Sequence, residues 1–201
     1  MKKPDIPTNE AERLQALNEY RILGTKPEEN YDDITKIASL TCGAPIALLS
    51  LVDSNRQWFK AKVGIEAEET VRDWSFCAHA IHSSEPLIVE DALKDERFFD
   101  NPLVQGEPKI RLYAGFPLQN DKNLRIGTLC VIDREPHGLT DTQFSIMQSL
   151  SRQAVAFLEL RKRSINLIES FCSHTDSGSF ISTCSYCRKA KDTEGNWLHL
   201  D

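Results

Sequence analysis

Asp73-Trp74-Ser75-Phe76-Cys77-Ala78-His79-Ala80-Ile81 gathers two aromatic rings, a thiol, an imidazole and a carboxylate into one stretch that reads as a short helix. Strand-like runs flank it at residues 57–63 and 87–90. A polar, aromatic helix laid over a sheet makes a lid for a small-molecule pocket. The neighbouring segments decide whether such a sheet exists.

Upstream, residues 46–52 are apolar without a break and read as a strand buried on both faces. Asp53-Ser54-Asn55-Arg56 is hairpin-turn chemistry, and the return strand alternates, with Phe59, Ala61 and Val63 on one face and Lys60 and Lys62 on the other. That alternation fits a sheet edge or a solvated face. Downstream, residues 87–89 form a strand, and 91–99 an acidic, aromatic loop. Leu112, Ala114, Phe116 and Leu118 alternate as another strand, residues 120–123 turn, and 125–133 return as a nearly continuous apolar strand.

Helices bracket this core. Asn9 with Glu12 has the pattern of a capping box, and Ala11, Leu14, Leu17 and Leu23 give a partial stripe ended by Gly24. Pro27 suits the first turn of a second helix, in which Tyr31, Ile34, Ile37, Ala38 and Thr41 recur before Gly43. A long helix capped by Thr140 carries Phe144, Met147, Ala154, Leu158, Ile165 and Ile168 on one stripe. Hairpins rather than strand-helix alternation imply an antiparallel sheet with helices on it, an α+β domain. The expected division is an N-terminal helix at 1–25, the domain at 26–163, and a helix extension with a cysteine-rich tail at 164–201.

Composition agrees with a globular chain: 201 residues, 40% hydrophobic, 27% charged. A net charge of −6 without a basic block argues against nucleic acid as a partner. Neither a signal-peptide pattern at Met1-Lys2-Lys3-Pro4-Asp5 nor a run long enough to span a membrane is present in the sequence, so the expected place is the cytoplasm. Six cysteines are then buried thiols or ligands rather than a disulfide scaffold.

The punctuating residues resemble those of a GAF domain, a sensory module of bacterial signalling proteins. The likeness is carried by Gln57-Trp58-Phe59 and Val63-Gly64, by Ser75 to Ile81, and by Val89-Glu90-Asp91-Ala92 followed by Asp95-Glu96-Arg97-Phe98. Tyr113-Ala114-Gly115-Phe116-Pro117-Leu118 and Ile126-Gly127-Thr128-Leu129-Cys130-Val131-Ile132-Asp133 complete it. In order and spacing they are similar to the form found beside histidine kinases and cyclic-diguanylate enzymes, as in two-component systems. The resemblance implies a central antiparallel sheet with terminal helices on one face and a ligand pocket on the other.

Within that family the subclasses differ by residue. The Cys-His pair of bilin-binding forms has no counterpart in residues 92–110, and Asp73-Trp74-Ser75-Phe76 places serine where a second bilin cysteine stands. A covalent bilin is therefore disfavoured. So is a cyclic nucleotide, because of its Asn-Lys-Phe-Asp-Glu signature only Asp141 is found around residues 133–143. The candidate pocket residues are Trp58, Phe76, Cys77, His79, Asp91, Phe98, Tyr113, Thr128 and Cys130, with ordinary core packing as the alternative reading of the aromatics. Arg97 and Arg111 are candidates for an anionic ligand, with solvated loop positions as the plainer reading.

Two residues apart on a helix, Cys77 and His79 point about 200° from each other and cannot act as a thiolate-imidazole pair. Both read first as structural groups, and a Cys77–Cys130 redox pair depends on a proximity that spacing cannot give.

The tail Cys184-Ser185-Tyr186-Cys187 resembles a segment that ends sensory domains of kinase-like proteins, where a further cysteine pair follows. Two thiolates need two more ligands for zinc, and Cys172 and His174, His199, or a second chain would supply them. Two free thiols are the equal alternative. Ala154, Leu158, Arg161, Ile165, Ile168 and Cys172 step by fours and threes as in a coiled-coil seam, which implies a homodimer. A stripe packed on the domain's own first helix is the competing reading.

The function expected is a non-catalytic module that binds a small molecule noncovalently and acts through its long helix on a separate output protein. A ligand-free dimerisation scaffold is one alternative. A thiol-based methionine sulfoxide reductase is another, although Cys77 and Cys130 do not sit in motifs that match such enzymes.

Overall fold

The computed structural model describes the backbone of residues 1–174, 189–191 and 197–199, and side chains as far as residue 170. It divides into two units, Met1–Glu159 and Leu160–Asp201.

The first unit begins with α1 (Glu10–Glu19) and α2 (Glu29–Cys42), followed by the hairpin β1 (Ile46–Val52) and β2 (Arg56–Val63). Then come a short β3 (Glu69–Val71), a 3-10 turn (Arg72–Trp74), α3 (Phe76–Ala80) and β4 (Leu87–Val89). A four-residue α4 (Pro102–Gln105), the hairpin β5 (Leu112–Gln119) and β6 (Arg125–Asp133), and the long α5 (Asp141–His174) complete the main order. The strands form one six-stranded sheet in the order β3-β2-β1-β6-β5-β4. Every pairing in it is antiparallel. The α+β architecture expected from the hairpins is what the chain adopts.

Strand alternation sends successive side chains to opposite faces and so makes two cores. Ala47, Leu49, Leu51, Ala114, Phe116, Leu118, Leu129 and Val131 face α1, α2 and the first half of α5, where Leu17, Tyr31, Ile34, Met147, Ala154 and Leu158 meet them. Leu48, Val52, Tyr113, Cys130 and Ile132 face the other way, against Phe76, Cys77, Ala78 and Ile81 of the α3 segment and Ala92, Phe98 and Val104 of the connection to β5.

Several local expectations change. The alternation along β2 breaks at a bulge: Leu49 pairs with Ala61 but Ser50 with Phe59, which leaves Lys60 as the extra residue. Lys60 is therefore buried rather than solvated, its Nζ bonded to Thr25 Oγ1 (2.8 Å), the Lys26 carbonyl (2.6 Å) and Glu28 (2.6 Å). The bulge also turns Trp58 to the helix side of the sheet, so it packs with Leu51 and Ala61 and away from the expected pocket.

Asn9 makes no side-chain cap on α1. In α2 the buried stripe is Tyr31, Ile34, Thr35, Ala38 and Cys42, with Ile37 exposed, and Gly43 closes the helix at φ +65°. Thr140 does cap α5, in a reciprocal box: Gln143 N–H donates to Thr140 Oγ1 (3.3 Å) and Thr140 N–H to Gln143 Oε1 (2.9 Å).

The second unit contains the end of α5 and an antiparallel pair, β7 (Lys189–Lys191) with β8 (Trp197–His199). The proposed zinc ligands Cys172, His174, Cys184 and Cys187 lie outside the described residues as far as their side chains are concerned. Among the described residues no helix is long and apolar enough to cross a membrane.

Candidate functional site

The site is built where α3 crosses the sheet. Ser75 holds an extended backbone and its Oγ accepts from Ala78 N–H at 2.9 Å, so a helix of five residues has a proper start. The same hydroxyl donates to Gln57 Oε1 on β2, which fixes the helix to the sheet. Phe76, Cys77, Ala78 and Ala80 are then buried.

Phe76 stacks on Phe98 with ring centroids 3.9 Å apart and 15° between planes, and its other neighbour is Tyr113 at 5.1 Å. His79 meets Phe98 edge-on at 4.9 Å. These rings close the face on which a pocket was expected. Phe76, Cys77, Phe98, Tyr113 and Cys130 are indeed brought together. Trp58 is not, for the reason given above. Asp91 stays apart in the loop after β4, where it accepts from Leu93 N–H (3.1 Å) and pairs with Lys94 (3.0 Å). Arg97 is committed to Asp95 and Arg111 to the Val104 and Ile110 carbonyls, so neither is placed as an anion receptor.

At the centre, Cys77 Sγ lies 3.9 Å from Cys130 Sγ, and the Tyr113 phenol donates to Cys77 Sγ at 3.3 Å. Gly115 allows this: a Cβ there would fall inside the Tyr113 ring and hydroxyl. Thr128 stands directly across from Ser50 on the paired strands, and both are fully buried. Their hydroxyls approach Cys77, yet among the described residues neither meets hydrogen-bond geometry with any partner.

Burial pushes the Cys77 thiol up, but the Cys130 thiol and the Tyr113 phenol, both in hydrogen-bond contact with it, help to outweigh burial and hold Cys77 below the ordinary thiol value. Cys130, hydrogen-bonded to Cys77 and buried, moves well above the ordinary thiol value. Burial, with the nearby sulfurs, raises Tyr113 as well. Cys77 is thus the acidic member of the pair.

The outer side of α3 is crossed by the N-terminal segment. Lys2 N–H donates to the Arg97 carbonyl (3.2 Å), His79 Nε2 bonds the Lys2 carbonyl (3.2 Å) and His82 Nε2 the Asp5 carbonyl (2.8 Å). A carbonyl only accepts, so each imidazole donates from Nε2. Burial pushes His79 down to about 4, with the Lys2 carbonyl opposing.

Sequence reasoning missed Ser50 and the N-terminal crossing. Ser50 was legible in principle, as the single polar residue within the apolar run of β1. The crossing had no signal, because it is made by backbone carbonyls.

Comparison with known proteins agrees with this architecture. The GAF domain family model matches residues 26–158. A cyclic di-GMP phosphodiesterase of Pseudomonas aeruginosa is 40% identical over 170 residues, which cover 84% of this chain and 29% of that protein. The chain thus spans under a third of the length of that relative. Among solved structures, the GAF domain of an Acinetobacter phosphoenolpyruvate-protein phosphotransferase superposes with a TM-score of 0.56 at 16% identity, covering 76% of this chain and 98% of that one. The PixJ GAF domain of Thermosynechococcus elongatus gives 0.56 at 15% identity, covering 82% and 98%. A free methionine-R-sulfoxide reductase from Neisseria meningitidis gives 0.56 at 13% identity, covering 74% and 89%. At such identities the structural likenesses speak for the fold alone. The chain belongs to the GAF domain family, which supplies sensory modules to signalling proteins.

Proposed function

We propose that this chain is a non-catalytic sensory module that takes a small molecule noncovalently between α3 and the sheet and passes its state to an output partner through α5. The observation that carries this reading is the pair of buried, unpartnered hydroxyls, Ser50 Oγ and Thr128 Oγ1, inside an otherwise apolar core. A buried hydroxyl without a partner is costly, about 1–3 kcal/mol, and is retained where it has another use. Identity to a cyclic di-GMP phosphodiesterase supports a place in cyclic-di-GMP signalling, with the module regulating rather than performing turnover.

The aromatic cluster is closed, so a ligand enters only when α3 and the N-terminal segment lift. Such a ligand must bind the open state better than the closed one, and that difference in affinity is the signal. The test is native mass spectrometry of protein purified from its host, alongside Thr128→Val and Ser50→Ala. A retained small molecule, lost in both variants, is expected. Protein that retains nothing, with variants indistinguishable from wild type, would favour the ligand-free scaffold.

The enzymatic reading rests on one observation, the closeness of Cys77 and Cys130. Turnover of free methionine sulfoxide with a thiol reductant, abolished by Cys77→Ser, would displace the non-catalytic reading.

A further inference from the structure

We propose that Cys77 and Cys130 form a reversible disulfide, which makes this buried pair a redox modification site of the domain. The two sulfurs are 3.9 Å apart on different elements, α3 and β6, and 53 residues apart in sequence. A disulfide needs about 2.05 Å between sulfurs. Closing the remaining gap of about 2 Å takes a small approach of a five-residue helix toward one strand, not a rearrangement of the sheet.

The surroundings distinguish this pair from ordinary buried thiols. Cysteine usually packs as a small hydrophobe, and Cys42 does so: it is buried in the helix-side core, and burial alone pushes its thiol up to about 11. Cys77 instead sits among a phenol that donates to it, a second thiol and two hydroxyls without other partners. Donors directed at a sulfur favour its thiolate, and the thiolate is the species that reacts. The second thiol within reach is the arrangement of a resolving cysteine.

The oxidant is a hydroperoxide. The Cys77 thiolate attacks one peroxide oxygen, the O–O bond breaks, and the sulfur becomes a sulfenic acid as hydroxide (or alkoxide) leaves. The Cys130 sulfur then attacks Cys77 Sγ, the S–O bond breaks, and the Cys130 thiol proton leaves with the oxygen as water. With hydrogen peroxide the sum is two thiols and one peroxide giving one disulfide and two waters. A dithiol reductant reverses it by exchange. Access comes through transient opening of α3, a helix of only five residues, beneath the N-terminal crossing. The consequence lies on the same element: Cys77 drawn to β6 loses its role as acceptor for Tyr113, and α3 shifts against Phe98.

The experiment is oxidation of the folded wild-type chain with hydrogen peroxide, trapping of free thiols by alkylation after unfolding, and peptide mapping without reduction. Expected is a mass loss of two hydrogens with a cross-linked peptide pair containing Cys77 and Cys130, reversed by dithiothreitol, while Cys42 stays alkylatable. In Cys130→Ser the link is absent and Cys77 is trapped as a sulfenic acid by dimedone. Recovery of both thiols free after oxidation overturns the proposal. So does a link appearing only in denaturant, or one that joins Cys77 to another cysteine. Because the wild-type map decides, a variant that fails to fold does not blunt the test, and ligand retention measured separately is unaffected by either result.

Discussion

Glu10 shows how one side chain can anchor three segments. Its carboxylate receives Arg13 Nε and Nη2, both at 2.8 Å, and Arg72 Nη1 at 2.5 Å. The two guanidiniums are almost fully buried, and they also hold the Val52 and Asp53 carbonyls. Burial raises the Glu10 carboxyl, but the two arginines outweigh it and bring it from 4.5 down to about 2. A depressed folded value gives stability that is complete above pH 4.5 and is lost as pH falls toward 2. Glu10→Gln leaves two buried cations without a countercharge and should cost about 2–3 kcal/mol at neutral pH. Urea unfolding at a series of pH values checks it: the gap between wild type and variant should narrow through that acid window, and a gap independent of pH would contradict the account. A second residue-scale prediction concerns Gly115, where any Cβ collides with Tyr113. Gly115→Ala should destabilise by about 1–3 kcal/mol through overpacking and should weaken the Tyr113–Cys77 hydrogen bond, seen as a shift to higher pH in the pH dependence of Cys77 alkylation. Neither role was legible in the sequence. Glu10 and Arg13 lie in the first turn of a helix with nothing local to mark them, since the arginine that completes the set lies 62 residues away from Glu10.

At the scale of elements, the hairpins and the long helices were readable because each is decided locally, by apolar periodicity and turn chemistry. The features that proved different are decided by contact. β3 exists only because three residues find β2 beside them. The Lys60 bulge depends on a cradle supplied by the segment before α2. Of the residues expected around a pocket, Phe76, Cys77, Phe98, Tyr113 and Cys130 meet in one core, Asp91 stays in its loop, and Trp58 lies on the other face because the bulge reversed that stretch of strand. The short α3 gives two predictions. Ser75→Ala removes its cap, costing about 1 kcal/mol, and also leaves Gln57 without its donor. Faster amide exchange confined to residues 78–81, with the main sheet protected, is the expected readout. His79 ties α3 to the N-terminal segment in its neutral form. Its folded value, about 4, lies below the ordinary 6.5, so the unfolded chain takes up the proton first. That contribution to stability is complete above pH 6.5 and declines as pH falls to about 4. His79→Gln should flatten the stability profile in this window, which lies largely above the one set by Glu10.

For the whole molecule the question is what α5 does. The periodic stripe along it is put to two uses. Ala154 and Leu158 are fully buried in the domain's own core, so the packed-stripe reading holds for that half and the seam does not begin there. Beyond Glu159 the helix carries Leu160 and Leu167, 57% and 60% exposed and seven residues apart, with Ile165 and Ile168 half-buried. A seven-residue step returns to the same side of a helix, as a supercoiled pair requires. We expect a homodimer formed through this stretch. Sedimentation equilibrium should find it, and Leu160→Glu with Leu167→Glu should weaken association by about tenfold or more, since loss of roughly 1.4 kcal/mol is enough for that. Thermal unfolding of residues 1–159 should stay cooperative in the same variant, because Met147, Leu150, Ala154 and Leu158 keep their contacts within the domain. A variant that stays dimeric would move the interface to an exposed apolar pair elsewhere, Ile37 and Leu40 on α2, and Leu40→Glu would then dissociate it instead.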